Sequence, residues 1–462
     1  MKQSRTAFSR RRFLGGAAAA VAAPLIIPRS VLGDETTPGA NEKLAIGCVG
    51  IGKMMYGDHL PHYLRMNNVK IVAVCDVDTT RREAGKKRAD DAYGNSDCAA
   101  YINYHDILER DDIDAVACAT PDHWHAMVIL DTCKAGKDMY CEKPLTNNLV
   151  EAKKVMDAVN ASDIIFQTGS QQRASDNFRY ACELVRNGYI GKVQQVQVGV
   201  GGPPRPCDLP GEEMEPGLDW ERWLGPAPMR EYSSVLSPRG VHNHFPSWRN
   251  YCEYGGGGMT DWGAHHVDIA TWGMDKTTTG PISVDPVLAE HPVPFENGYP
   301  TVKDRYNTAT KFDIKVTYAD GIELSILSGA RNGILFEGTE GRIFVSRGVL
   351  QGKPVEDLAD NPLPEGLLEE VYKGGPIYDG MPGFKSNPHV KNFFNAIDKR
   401  TEPISDVFSH HRALTTCHLS GIAARLGRKI QWNPETETVV DDAQAQALTA
   451  REKRQGFEIE MG

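Results

Sequence analysis

Residues 43–55 read Lys-Leu-Ala-Ile-Gly-Cys-Val-Gly-Ile-Gly-Lys-Met-Met. An apolar run over 43–49 is cut by Gly50-Ile51-Gly52 and passes into a helix-like stretch over 57–66. Gly50 permits a tight turn. Gly52 lets the backbone approach a pyrophosphate, and the following helix N-terminus offers N–H groups and a positive dipole end. Ile51, Lys53 and Met54 complete the turn. Met55 stands where a third small residue would bring helix and strand close, so looser packing is expected there. Apolar runs recur at 69–75, 113–119 and 137–141, separated by helical stretches at 79–93 and 124–135. Strands alternating with helices predict a parallel sheet covered on both faces.

The second strand ends at Asp76, 24 residues after Gly52. An acid there accepts hydrogen bonds from ribose hydroxyls and repels a 2′-phosphate, which favours NAD over NADP. Arg81 and Arg82 nearby temper that preference. In an open α/β sheet, ligands lie at the carboxyl ends of strands. Two further strand ends therefore matter: Thr120-Pro121-Asp122-His123-Trp124-His125 and Glu142-Lys143-Pro144. Both histidines have loop packing or helix capping as the alternative, and a Glu-Lys pair alone is usually a surface ion pair. At a strand edge, Lys143 gains a reading as donor to a substrate hydroxyl and acceptor of its proton.

Farther on lies Gly255-Gly256-Gly257-Gly258-Met259-Thr260-Asp261-Trp262-Gly263-Ala264-His265-His266. A helix starting near Asp261 puts Asp261 and His265 one turn apart on one face. A carboxylate beside an imidazole suits proton transfer. The alternative is a capped helix with Asp261 as N-cap and His265 as packing.

The remaining pattern gives a helix over 149–160, a strand over 164–168, a helix over 174–187 stopped by Gly188, and a Gly/Pro-rich loop over 199–217. Strands over 311–318 and 322–328 flank Ala319-Asp320-Gly321, a hairpin signal. Another pair, 334–337 and 342–346, follows. Residues 350–385 read as irregular, and helices over 389–399 and 407–425 close the core. The expected organisation is a signal peptide over 1–33, a linker over 34–42, a dinucleotide-binding Rossmann domain over 43–146, an α+β substrate and oligomerisation domain over 147–432, and a tail over 433–462.

The first residues carry Ser9-Arg10-Arg11-Arg12-Phe13-Leu14, then an apolar run to Ile27 that is short for a membrane span. This resembles a twin-arginine export signal. It implies a periplasmic or exported protein with no stable membrane insertion after signal removal. The chain of 462 residues has 51 basic and 61 acidic side chains. Without residues 1–33 the balance becomes 45 against 61, or −16, which argues against a nucleic-acid partner. The ten cysteines form no CxxC pair. Free thiols fit a protein folded before export.

Together the Gly50-x-Gly52 turn, Glu142-Lys143-Pro144 and Asp261-x-Gly263-x-His265, in this order, resemble the Gfo/Idh/MocA oxidoreductases over roughly residues 43–430. The resemblance implies an α/β Rossmann domain followed by an α+β domain with a large, mainly antiparallel sheet, and a homodimer or homotetramer. It implies roles for Lys143, Asp261 and His265 in catalysis. Gly50, Ile51, Gly52, Lys53, Met54, Asp76, Thr120, Pro121, His125 and Glu142 are expected at the cofactor. Gln171, Gln172, Arg173, Trp248, Arg249 and His266 are expected around a carbohydrate or polyol substrate. Asp122 departs from the asparagine common in the family. The implied activity is NAD-dependent oxidation of a CH–OH group, with no metal. Export favours a cofactor that stays bound and is recycled. A redox-neutral glycoside hydrolase, lyase or epimerase is the alternative. Rivals of other classes are a metal-dependent lyase using His242, His244, His265, His266 and Asp261, and a non-catalytic sugar or NAD sensor.

Overall fold

The computed structural model describes residues 39, 42–364 and 388–459. The expected signal peptide lies outside the described residues, as does most of the linker. Among the described residues, no helix is long and apolar enough to cross a membrane.

The first sheet is parallel and has six strands: β1 (Leu44–Val49), β2 (Val69–Cys75), β3 (Ala99–Tyr101), β4 (Ala115–Cys118), β5 (Asp138–Glu142) and β6 (Phe166–Gly169). Their order is β3-β2-β1-β4-β5-β6. The chain therefore reverses direction across the sheet between β1 and β4, which opens a crevice at their carboxyl ends. Strand β6 pairs with β5 in register Glu142↔Gly169, so the parallel sheet runs past the boundary expected at 146. Short β3 lacks a sequence signal, because its three residues are all half-buried.

One face of this sheet is covered partly by a helix from far down the chain. Val390, Phe393, Phe394 and Ile397 of Pro388–Lys399 pack with Ile46, Cys48, Tyr63 and Tyr140. Met55 is also fully buried in this cluster. The segment after Gly52 is not a plain α-helix: Met55–His59 forms a wide π-type turn that leads into Leu60–Tyr63. That wider turn occurs where Met55 replaces a small residue.

The second sheet has nine strands. They are β7 (Val193–Gly199), β8 (Ser283–Glu290), β11 (Lys311–Thr317), β12 (Glu323–Leu327), β13 (Gly333–Gly338), β14 (Arg342–Ser346), β15 (Val349–Gln351), β16 (Ile430–Asn433) and β17 (Thr438–Val440). A small hairpin, β9 (Phe295–Glu296) and β10 (Tyr299–Pro300), stands apart. The order is β15-β14-β13-β7-β12-β11-β8-β16-β17. All pairings are antiparallel except β7 with β12. The hairpin expected around Gly321 forms, with that glycine at φ +87. β17 joins the sheet edge, so the segment after 433 belongs in part to this sheet. Helices Trp262–Gly273 and Val407–Leu426 pack against one another and lie on the sheet. The ten cysteines are free.

Candidate active site

Gly50 sits at φ +81, and a Cβ there would meet the backbone of Ala119 and Thr120 at 2.8–3.0 Å. Only glycine lets β1 turn this close to the end of β4. Gly52 differs: its would-be Cβ meets nothing within 4 Å. It faces a cavity of about 340 Å³ whose walls include Gly50, Gly52, Lys53, Met54, Asp76, Thr120 and Pro121. An open backbone cradle beside a carboxylate fits a dinucleotide.

Asp76 accepts hydrogen bonds from Ile51 N at 2.7 Å and Asp78 N at 2.8 Å. Burial raises its pKa, against the opposing charge of Arg81. Ile51 thus positions the acid and does not line the cavity itself. Neither arginine is poised for a 2′-phosphate. Arg81 donates to Gly240 O at 3.1 Å, to Ser237 Oγ at 3.2 Å and to Pro238 O. Arg82 donates to Asp76 O and Thr79 Oγ1.

The other wall of the cavity comes from the second half of the chain. Ser237, Pro238, His242, Phe245, Trp248 and Arg249 form a strap over it, and Phe457 closes the far side beside Trp124. Lys53 Nζ lies 4.5 Å from the Phe245 ring. No local sequence signal points to Phe245 or Phe457, because the strap is brought in by tertiary folding alone.

Lys143 at the end of β5 reaches Asp261. Its Nζ donates to Asp261 Oδ1 at 2.5 Å and to Asp261 O at 3.1 Å. Arg249 Nε stands 3.8 Å from the same carboxylate oxygen. Asp261 precedes the helix Trp262–Gly273 but makes no capping hydrogen bond. Burial pushes its pKa up, but Lys143 and then Arg249 outweigh that and hold it below the ordinary carboxylate value. His265, one turn on, is buried, and its Nδ1 has no partner among the described residues. Burial first, then the charges of Lys143 and Arg347, push its pKa well below 6.5. Burial and these charges hold the ring in its neutral form.

Two groups without a role in the sequence reading also face this cluster. Burial raises Asp122 to about 8, against the pull of Arg249 and Lys143. Arg347, just after β14, lies over Trp262 with its guanidinium carbon 4.7 Å from the ring centroid.

Several expected site residues serve the scaffold instead. Glu142 binds His59 Nε2 at 2.8 Å and Gln171 Nε2 at 2.8 Å, and neither Glu142 nor His125 lines the cavity. His125 is buried between the carbonyls of Pro144 (2.7 Å) and Thr120 (2.9 Å), where it ties two strand ends together. Gln171 braces Glu142 and Tyr140, and Gln172 is buried with its amide unpartnered. Arg173 is a core residue: it grips Asp268 through Nε and Nη2 at 2.7 and 2.8 Å. His266 is fully buried, with Nδ1 3.0 Å from Gly199 O. Trp248 and Arg249 are on the strap, where the guanidinium lies 4.1 Å over the indole.

Among the described residues one trio has metal-ligand spacing, Cys118, His125 and Cys141. Both nitrogens of its histidine already contact carbonyls. The set His242, His244, His265, His266 and Asp261 does not converge: His242 turns to His244 O and His266 to Gly199 O.

A dinucleotide cradle at the switch point of a parallel sheet, faced by a Lys–Asp–His cluster, defines the class of nicotinamide-dependent, two-domain oxidoreductases. Residues 44–170 match the profile of the Gfo/Idh/MocA oxidoreductase family, NAD-binding Rossmann fold, and residues 206–365 match that family's C-terminal α/β domain. The chain belongs to the Gfo/Idh/MocA family. It is 29% identical over 168 residues to a myo-inositol 2-dehydrogenase of Thermotoga maritima, a match covering 36% of this chain and 48% of the relative. A glycosyl hydrolase family 109 protein of Shewanella woodyi is also 29% identical, over 161 residues and 32% of each chain. The chain thus spans about half or less of the length of these curated relatives. The fold is similar to that of a levoglucosan dehydrogenase in complex with NADH and levoglucosan, at TM-score 0.59 and 19% identity over 84% of this chain and 99% of that one. It is also similar to an aldose-aldose oxidoreductase of Caulobacter crescentus at TM-score 0.57 and 16% identity, with the same coverage of both chains.

Proposed function

We propose that this protein is an NAD-dependent oxidoreductase acting on a CH–OH group of a sugar, glycoside or polyol. The observation that carries the reading is the Lys143–Asp261 contact beside a neutral His265. Gly50, Gly52, Asp76, Thr120 and Pro121 would hold the cofactor, which supplies a hydride acceptor when bound. Lys143 donates a hydrogen bond to the substrate hydroxyl. Asp261 holds that ammonium in place, and Arg249 keeps the carboxylate ionised. As the C–H bond gives up its hydride, the hydroxyl proton passes to His265, leaving a carbonyl. The strap and Phe457 wall the crevice and would limit water around the reacting groups.

The strap also favours a retained cofactor, because Arg81 anchors it to the first turn of the helix Thr79–Tyr93 that follows β2. Retention fits export through the arginine-rich N-terminus to a compartment poor in free nicotinamide nucleotides. It supports the second reading too, a redox-neutral cycle in which a transient oxidation allows glycoside cleavage or epimerisation. The same reading makes the protein a homodimer or homotetramer joined through its nine-stranded sheet.

The test is to purify the protein without added cofactor, denature it and assay the supernatant for NAD(H). A near-stoichiometric yield, followed by turnover of glycosides or sugar pairs without added NAD, is the expected result. An empty site with sustained turnover of free NAD would reject retention and leave an ordinary dehydrogenase.

A further inference from the structure

A second cavity lies away from the dinucleotide crevice. It has a wide chamber of about 750 Å³ and a narrow neck of about 50 Å³. The two share six lining residues: Asn147, Asn148, Cys252, Arg425, Leu448 and Arg451. A cavity needs roughly 10–15 Å³ to hold one water, so the neck has room for a compact group of a few heavy atoms.

The neck has an unusual charge balance. Its lining contains Arg425, Arg451, His291 and His418, and no carboxylate among the described residues. Neither arginine has an ion-pair partner there. Among the described residues Arg425 makes a single long bond, from Nε to Gly421 O at 3.4 Å within its own helix. Three buried polar groups at the neck are also unpartnered: His418 Nε2, Thr260 Oγ1 and Thr308 Oγ1. Each of these residues is at most 9% exposed. Buried polar atoms normally have partners, and two uncompensated guanidiniums side by side repel. The positive field is visible in the neighbours. Burial first, then Arg451 and Arg425, push His418 to about 3; burial first, then Arg425, pushes His291 to about 4.

The chamber does not supply the missing counter-charge. Glu151 is already paired with Lys453 at 2.7 Å, and Glu253 with Arg230 at 3.2 Å. Glu231, Asp304 and Glu452 are exposed at its rim. What the neck lacks is a compact anion with several acceptor oxygens.

We propose that the neck is an oxyanion-binding site in which Arg425 and Arg451 grip a phosphate, sulfate or carboxylate group, with Thr260, Thr308 and His418 completing its contacts. The anion is either free or the head of a small organic molecule whose body occupies the chamber. This site is independent of the reading of the crevice.

The test is calorimetric titration of the full chain, saturated with NAD to block the crevice, with inorganic phosphate against chloride at matched ionic strength. One saturable site for phosphate is expected. Arg425→Gln and Arg451→Gln should each weaken it at least tenfold without changing NAD affinity. Thr308→Val, which keeps the side-chain shape, should weaken it a few-fold and serves if an arginine variant fails to fold. Glycerol 3-phosphate binding tighter than inorganic phosphate would assign a head group, and equal binding a free ion. Phosphate binding no tighter than chloride, or binding unaltered in the variants, would overturn the proposal.

Discussion

Two cation–carboxylate pairs in this molecule look alike in sequence and differ in use. Arg173 and Asp268 are 4% and 0% exposed, and the contact is bidentate. Ser170 Oγ donates to the same carboxylate at 3.0 Å, and His410 faces it. Both carboxylate oxygens of Asp268 are thus engaged inside the core, and the side chain is closed off from any ligand. Lys143 and Asp261 instead meet through one carboxylate oxygen, and the Asp261 side chain is 34% exposed. Spare hydrogen-bonding capacity at an open edge separates a reactive pair from a structural one. A saturated buried pair fixes the packing of two elements, here the segment after β6 and the helix Trp262–Gly273.

The largest expected effect is on catalysis. Lys143→Met should lower kcat by about 10²–10⁴-fold, the range for loss of a proton-handling group. NAD affinity should stay near wild type, with a modest loss of thermal stability, because the Lys143 side chain is 11% exposed and its removal leaves Asp261 to Arg249 alone. A variant that still turned over normally would put the pair of Lys143 and Asp261 in the structural class.

Breaking the other pair should do the reverse. Asp268→Asn leaves Arg173 buried without its counter-charge and should cost about 3–5 kcal/mol in denaturant unfolding. Activity per folded molecule should hold. Burial favours protonating Asp268, but Arg173 and His410 outweigh it and hold the carboxyl well below its usual value. The sign is that of a depressed acid: the contribution is present above pH 4 and fades as pH falls through the folded-state value. Wild type should therefore lose stability below pH 4 more steeply than the variant.

A third variant sharpens the cofactor side of the comparison. Gly52→Ala adds a methyl that meets no protein atom within 4 Å. The fold should be unaffected, while NAD binding should weaken about tenfold, or ~1.4 kcal/mol. Gly50→Ala, by contrast, should disturb the fold.

A pH-dependent effect concerns Asp122, whose pKa is raised to about 8 by burial. The neutral form favours the folded state. That contribution is complete below about pH 4 and is lost as pH rises towards 8. Asp122→Asn keeps a neutral side chain throughout. Its stability advantage over wild type should grow from pH 4 to 8, on the order of a few kcal/mol at most, and then level off. A constant difference would show that Asp122 is ionised in the fold.

Much of this was readable along the chain. The parallel sheet followed from strand–helix alternation, and Gly50, Gly52 and Asp76 followed from their spacing after β1. Lys143 and Asp261 were each visible as motif residues. Arg173 was misplaced because a sequence shows charge and not valence: its partner Asp268 lies 95 residues away. Glu142 and His125 were drawn to the cofactor by their neighbours in sequence, yet both hold the scaffold.

The sequence by itself determined the cofactor half of the protein, because a dinucleotide cradle is built from residues a few positions apart, in backbone conformations that glycine signals directly. Only the tertiary structure decided which charged residues remain available for chemistry. Whether Lys143, Arg173 or Arg425 is spent or free depends on partners up to a few hundred residues distant, and on how much water burial removes from each. The strap from Ser237 to Arg249 and the arrival of Phe457 over the crevice follow the same rule, for they are set by packing of the second half against the first.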